Sequence, residues 1–502
     1  MELVFETKTA ARLDPVIHET LSQEETAEII VPDSCPDVER VVYSSAAAVL
    51  RGKECRPGSA VLTGGIRAGV LYVPEDNSAP RALDVWIPFT MRFDQPAVTE
   101  ETQTAAQARV RSVDARMINS RKLLVRVNIG CMLDGYEEVQ QTVKSVQNAP
   151  DAVQKKLRTY PLVLPAEQAE KPFTISEELE LPAGRPAVGT VCAYDVLPQI
   201  AEKKIVGNKA VFKGTLFFKL LYLSPDGELA VFDQQLPFSQ YCELLHDYDD
   251  DELEVLLSVT GTELEPENAD AARRLLLTVN LLAQCLVSAN QPMEVCEDAY
   301  AVKGTLQPEW TEYPLDCRLD SQTLRAPLQG AVKGPVRAVV DSGVYLDFPT
   351  QERTDGGLRL HAPASVNILY YDADGQLQGA GGRAEAVCET ALAEGGACSP
   401  QAALEGGGFA APGADGAELR YEAVFDVDTF AHQTLRNLSG GTYEPKTDKK
   451  EDRPSVVVAV NREKQDVWNI AKKYGTTAEA IRQANGLTQD EAEAGEMLLI
   501  PM

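Results

Sequence analysis

The chain has 502 residues, an apolar fraction of 44% and a formal charge of −29, from 76 acids against 47 bases. That length holds several domains with real cores, and the acid excess argues against nucleic acid or an anionic membrane surface as partner, since both need a basic face. With no run of about 18 apolar residues and no basic-then-apolar segment at Met1-Glu2-Leu3-Val4-Phe5-Glu6, we expect neither a membrane span nor a secretory signal, and residence in the cytoplasm. The ten cysteines contain no Cys-x-x-Cys pair and read as reduced, buried small hydrophobes.

The first notable segment is Ile30-Val31-Pro32-Asp33-Ser34-Cys35-Pro36-Asp37-Val38-Glu39-Arg40-Val41. Its prolines favour extended or turn geometry and set Asp33, Asp37, Glu39 and Arg40 at a domain edge, as turn formers or as a docking cluster. Ala60-Val61-Leu62-Thr63-Gly64, then Leu71-Tyr72, returns as Ala210-Val211-Phe212-Lys213-Gly214, then Leu221-Tyr222. Pro32 and Pro36 return as Pro182 and Pro186, and Arg121 to Ile129 returns as Arg273 to Leu281. A fainter third copy sets Ile368 to Leu377 beside Leu220 to Leu229.

Within a copy the period is two, with Ala210, Phe212, Gly214, Leu216, Phe218, Leu220 and Tyr222 on one face of a long strand. Pro225-Asp226-Gly227 then turns the chain into a hairpin. The expected fold is mainly β and multidomain, with tandem β-sandwich-like repeats followed by a small βααβ domain. We place the first repeat at 1–146, the second at 173–303 and a third, divergent one at 315–434. The connection 147–172 reads as polar and partly helical, the Gly- and Ala-rich stretch 379–416 as irregular, and 435–454 as a flexible linker.

The tail, 455–502, carries an apolar strand at Val456 to Val460. A helix follows, with Val467, Ile470, Ala471 and Tyr474 on one face and Asp466 as its N-cap. Thr476-Thr477-Ala478-Glu479 opens a second helix that stops at Asn485-Gly486, before a strand at Met497 to Pro501. This order, with the string Trp468 to Thr477, resembles a LysM domain. The resemblance implies a shallow groove for N-acetylglucosamine polymers such as peptidoglycan, between the loop before the first helix and the loop before the last strand. It makes Lys464, Gln465, Asp466, Trp468, Asn485, Gly486 and Leu487 the candidate residues for glycan or for a protein partner. Lys464-Gln465-Asp466 departs from the family's usual Gly-Asp-Thr, and the last loop is acidic. Trp468 lies one position off the apolar helix face, either as an interface anchor or as part of the small core.

Repeated β units ending in a LysM tail resemble the SipL-type and SpoVID-type morphogenetic proteins of spore-forming bacteria. In the first unit, Pro32-Asp33 and Pro36-Asp37 resemble the Pro-Asp-x-x-Pro-Asp opening of the repeat those proteins share. The resemblance implies a structural adaptor of spore envelope and coat assembly in the mother cell, at the forespore surface. There it would be held through its LysM tail by a SpoIVA-like basement-layer ATPase, with other coat proteins as further partners. A peptidoglycan-binding cell-wall protein is the alternative.

Catalytic chemistry is not expected. His18, His246, His361 and His432 have no metal-ligand spacing, and neither a nucleophile elbow nor a phosphate-binding Gly-Lys-Ser/Thr loop is present. The acidic run His246 to Glu252 lacks the spacing of a calcium loop and reads as a solvated interstrand loop. No cofactor and no metal are therefore expected.

Overall fold

Alternating apolar positions build three successive β-sandwiches, as their period requires. The structure is a computed structural model that describes all residues except 77, 249–251, 269–270, 393–395, 446–454 and 461–462. The first sandwich contains β1 (Val4–Ile30), β2 (Val38–Arg56), β3 (Ser59–Pro74), β4 (Arg81–Asp94), β5 (Gln103–Asn119) and β6 (Lys122–Asn148). Sheet β2-β3-β4 faces sheet β1-β6-β5, all pairs antiparallel, and Leu62, Ile66 and Tyr72 of one meet Leu123, Val125 and Ile129 of the other in a dry core.

The second sandwich uses β7 (Val153–Tyr160), β8 (Val163–Glu180), β9 (Thr190–Leu223), β10 (Leu229–Tyr248), β11 (Glu252–Pro266), β12 (Arg274–Asn290) and β13 (Met293–Ala301). The two halves of β9 lie side by side, with Gly189 N–H bonded to the Leu223 carbonyl at 2.8 Å and Gly214 against the Gln199 carbonyl, and Gly207 (φ +59°) lies between them in sequence. The repeat is thus physical as well as textual. Gly64 is pressed between the Val49 carbonyl and the Phe89 ring, just as Gly214 is pressed between Gln199 and Phe238. A methyl group fits neither place.

The third sandwich has β14 (Thr305–Pro327), β15 (Gln329–Lys333), β16 (Ala338–Leu346), β17 (Thr350–Thr354), β18 (Gly357–Tyr371), β19 (Leu377–Ala391), β20 (Gly396–Leu404), β21 (Phe409–Pro412), β22 (Gly416–Arg420) and β23 (Glu422–Glu444). Leu360, Val366 and Ile368 of β18 pack on Phe425 and Val427 of β23. The glycine-rich stretch expected to be irregular is largely strand, with 393–395 outside the described residues. Its glycines serve a close approach, since a Cβ on Gly379 would sit 1.7 Å from the Val42 carbonyl of the first unit.

Two connections differ from expectation. The segment 147–172 is strand, not helix, because Val153, Leu162 and Leu164 are buried against neighbouring strands. The linker expected from 435 begins as strand, for β23 stays paired with β14 out to Glu444↔Thr305 and buries Leu435, Leu438 and Tyr443. A polar, glycine-containing run looks flexible by composition, but a full ladder of backbone bonds to a partner strand holds it straight. The rest of that linker, 446–454, lies outside the described residues.

In each unit the first and last strands run on as a two-stranded ribbon beyond the sandwich: β1 with β6, β7 with β13, and β14 with β23. The ribbons meet in a layer of Leu3, Val146, Val153, Cys296, Leu438 and Tyr443. Asn437, 0% exposed, ties all three, accepting from Cys296 N–H at 2.8 Å and donating to the Lys144 carbonyl at 2.8 Å. A second shared layer joins the sandwiches themselves through Leu71, Leu221 and Leu369, which occupy equivalent positions in the three units.

The tail adds β24 (Val456–Val460), β25 (Gln465–Asp466), α1 (Val467–Tyr474), α2 (Ala478–Asn485), β26 (Glu491–Ala492) and β27 (Met497–Pro501). The chain is mainly β with a small βααβ domain at its end, the fold class expected from the sequence.

Candidate binding site in the C-terminal domain

Both tail helices are locally specified. Asp466 caps α1 by accepting from Trp468 N–H at 2.8 Å, and Gly475 ends it in the left-handed conformation (φ +70°). Thr477 caps α2, and Gly486 (φ +65°) terminates it. Val467, Ile470, Ala471 and Ile481 then pack on Val457, Leu498 and Ile500 from the inner face of β24 and β27.

The candidate groove residues fall into two groups. Lys464 bridges the two groove loops, with its ammonium 2.6 Å from Glu491 and 3.6 Å from Glu493, and Gln465 pairs with Ala492 through the backbone. Asn485 ties α2 to β27 by exchanging hydrogen bonds with Leu499 at 2.7 Å each way, and Leu487 packs at the core edge. These residues brace the domain.

Asp466 and Trp468 instead face the second unit. The second oxygen of Asp466 pairs with Lys156 of β7 at 2.7 Å. The Trp468 indole N–H donates to Asp298 of β13 at 2.9 Å, and its ring meets Tyr300 edge-on with centroids 4.8 Å apart. Lys472 contacts both Asp298 oxygens at 2.6 and 2.7 Å, and Tyr300 donates its hydroxyl to the Thr476 carbonyl at 2.8 Å. Burial pushes the Asp298 carboxyl up, but the bonds from Lys472 and Trp468 outweigh it and hold the group below its ordinary range. Trp468 therefore packs on the tail's own core and at the same time anchors an interface, here one within the chain, so the two expected alternatives are combined. Nothing local in the sequence marks Lys156, Asp298 or Tyr300, which reach the tail only through the fold.

The outer face of the tail's sheet is apolar. Val456, Val458, Val460, Met497 and Leu499 all point to solvent, with Val458 paired to Leu499 and Val460 to Met497. Alternation leaves Val457, Ala459, Leu498 and Ile500 for the core.

The proline-flanked cluster near the N-terminus is engaged within its own unit. Arg121 donates to the carbonyls of Val31 (2.9 Å) and Cys35 (2.8 Å) and pairs with Asp33 (3.2 Å) and Asp37 (3.0 Å), while Tyr72 bonds the Pro36 carbonyl. The second unit repeats the latch without the acids: Arg273 donates to Leu181, Pro182 and Arg185 carbonyls, and Tyr222 to Pro186. Glu39 pairs with Arg40, which also reaches the Leu377 carbonyl of the third unit. His246 and Tyr248 hold the buried Glu167, and 249–251 of that acidic run lie outside the described residues. Among the described residues no three His, Cys, Asp or Glu side chains gather as a metal site, and no helix is long and apolar enough to cross a membrane.

Comparison with family models matches two of these modules. Residues 187–265 match the model described as SipL, SPOCS domain, and residues 464–501 match the LysM domain. The second unit is thus similar to a SPOCS domain and the tail to a LysM domain. The SPOCS match spans β9, β10 and most of β11 in the second unit, and the LysM match spans both helices and β27. No curated protein and no solved structure compared with the chain gave a match. Both domains are of the binding type, and the pair fits a spore-associated protein that binds cell wall.

Proposed function

We propose that the chain is a non-enzymatic adaptor of spore-envelope assembly, recruited to the forespore surface through its LysM domain by a SpoIVA-like morphogenetic ATPase of the basement layer. The observation that carries this reading is the tail's open surface, an apolar sheet face of Val456, Val458, Val460, Met497 and Leu499. Contiguous exposed apolar side chains suit a protein partner better than a hydroxyl-rich sugar. Because Asp298 and Tyr300 hold the tail against the second unit, recruitment delivers the three sandwiches in a fixed orientation, and repetition of the partner in a layer adds avidity.

Peptidoglycan binding is the second reading, and the LysM match favours it. The two separate in one experiment on the full-length protein, presented with a purified basement-layer ATPase and with N-acetylglucosamine oligomers. We expect capture of the ATPase, lost in a folded Val458→Asp/Leu499→Asp variant, and no saturable sugar binding. Sugar binding with no ATPase capture moves the protein to the cell-wall class.

A further inference from the structure

The three sandwiches enclose a cavity of about 730 Å³ where they meet, within the size range of small-molecule sites. Each unit contributes charge to it. Asp341 of the third unit accepts from the Tyr43 hydroxyl of the first at 3.0 Å and pairs with Lys219 of the second, which also donates to the Ser342 carbonyl at 2.7 Å. Lys219 stands directly across the β9–β10 ladder from Asp233, so one ammonium serves two carboxylates. Arg67 of the first unit is committed to Tyr194, lying 3.3 Å over its ring and donating to its carbonyl at 2.6 Å, with Asp195 and Asp84 nearby.

Two cations therefore face five carboxylates, Asp84, Asp195, Asp233, Asp341 and Glu405; Glu405 pairs with Arg325 outside the cavity at 3.5 Å, and among the described ion pairs none includes Asp84, Asp195 or Asp233. We propose that this junction cavity binds an organic cation of the alkylammonium or guanidinium class, either a free polyamine or a Lys or Arg side chain offered by a partner. The acids Asp195 and Asp233 would receive the charge, and Tyr43, Tyr345 and Phe217 supply the faces that hold an alkyl stem or a cation. Both carboxyls are open to solvent at the cavity and so accessible to a cation, and partial desolvation there raises each above its ordinary range. A ligand here touches all three units and locks their arrangement.

The test uses the full-length protein with spermidine, with a short Lys- and Arg-containing peptide, and with fully acetylated spermidine, read by calorimetry and thermal shift. We expect saturable binding of spermidine, of the peptide or of both, with a rise in Tm; which one binds identifies the source. Asp195→Asn/Asp233→Asn should weaken it about tenfold or more, while Asp94→Asn/Glu177→Gln, the same charge change at exposed sites away from the cavity, should leave it unchanged. Equal weakening by both double variants would mean nonspecific attraction to an acidic protein and overturn the proposal. So would saturable binding of the acetylated compound by the unaltered protein, or no binding of any cation, and neither result depends on how a variant folds.

Discussion

Trp468 donates its indole N–H to the carboxylate of Asp298, a residue 170 positions earlier in the chain. That bond, with the Tyr300 ring against the same indole, fastens the C-terminal domain to the second sandwich. Trp468→Ala removes ring and donor together and is expected to lower the tail's stability by about 3 kcal/mol, the usual cost of truncating a well-packed tryptophan. Trp468→Phe keeps most of the ring contact and should cost less. Hydrogen exchange over 464–501 measures both, and unchanged protection in Trp468→Ala would rule the contact out.

The same interface has a definite pH dependence. Asp298 titrates below its ordinary value of 3.8 because the Lys472 and Trp468 bonds outweigh the opposing effect of burial. A depressed carboxyl contributes fully above its unfolded value, and the contribution disappears as pH falls through the folded one. Tail docking should thus be flat between about pH 5 and 8 and weaken only in acid below about pH 4. Trp468 fluorescence followed against pH would show it, and a transition near neutrality would contradict it.

Asn437 bonds two ribbons from within the third, and Asn437→Ala strands both partners. The Cys296 N–H and the Lys144 carbonyl would be left in a dry layer at about 1–3 kcal/mol each. Denaturant unfolding gives the loss directly. Cys296, 3% exposed, should at the same time become faster to react with a thiol reagent, while Cys285 in the second core should not change.

Arg318 of the third unit is 6% exposed and faces Glu252 at 2.7 Å and Glu254 at 3.0 Å from the second, besides Asp428 from its own. Arg318→Met leaves three carboxylates without their cation and should destabilise by about 3 kcal/mol, the low end for a broken buried pair since Glu252 keeps contact with water. Glu252→Gln, removing one exposed partner, should stay within about 1 kcal/mol. Similar losses in the two variants would show that the site behaves as an ordinary surface pair.

Much of the architecture was legible because it is local or repeated. The period-two face of Ala210 to Tyr222 named its own strand, and Asp466, Thr477 and Gly486 marked the helix ends in the tail. The Tyr72 and Tyr222 positions repeat because each hydroxyl closes the same proline loop. What stayed hidden is non-local. The ribbon strand Leu435 to Glu444 is stabilised by its partner ladder, which leaves no trace in composition, so a Ser-Gly-Gly run suggested a tether. The docking of Trp468 on Asp298 is of the same kind, and so is the junction cavity, whose charges come from three units that the sequence shows only in succession.

The ribbons have a mechanical consequence. Each unit begins and ends on facing residues, Val4 with Asn148, Val153 with Ala301 and Thr305 with Glu444, so a pull along the chain loads each ribbon at the end that lies in the shared layer and, once that layer gives, opens it from there. Load in that geometry peels one rung at a time and does not shear many at once. The sandwich cores stay shut while the ribbons yield, and single-molecule pulling would show this as ribbon opening at lower force ahead of any core rupture.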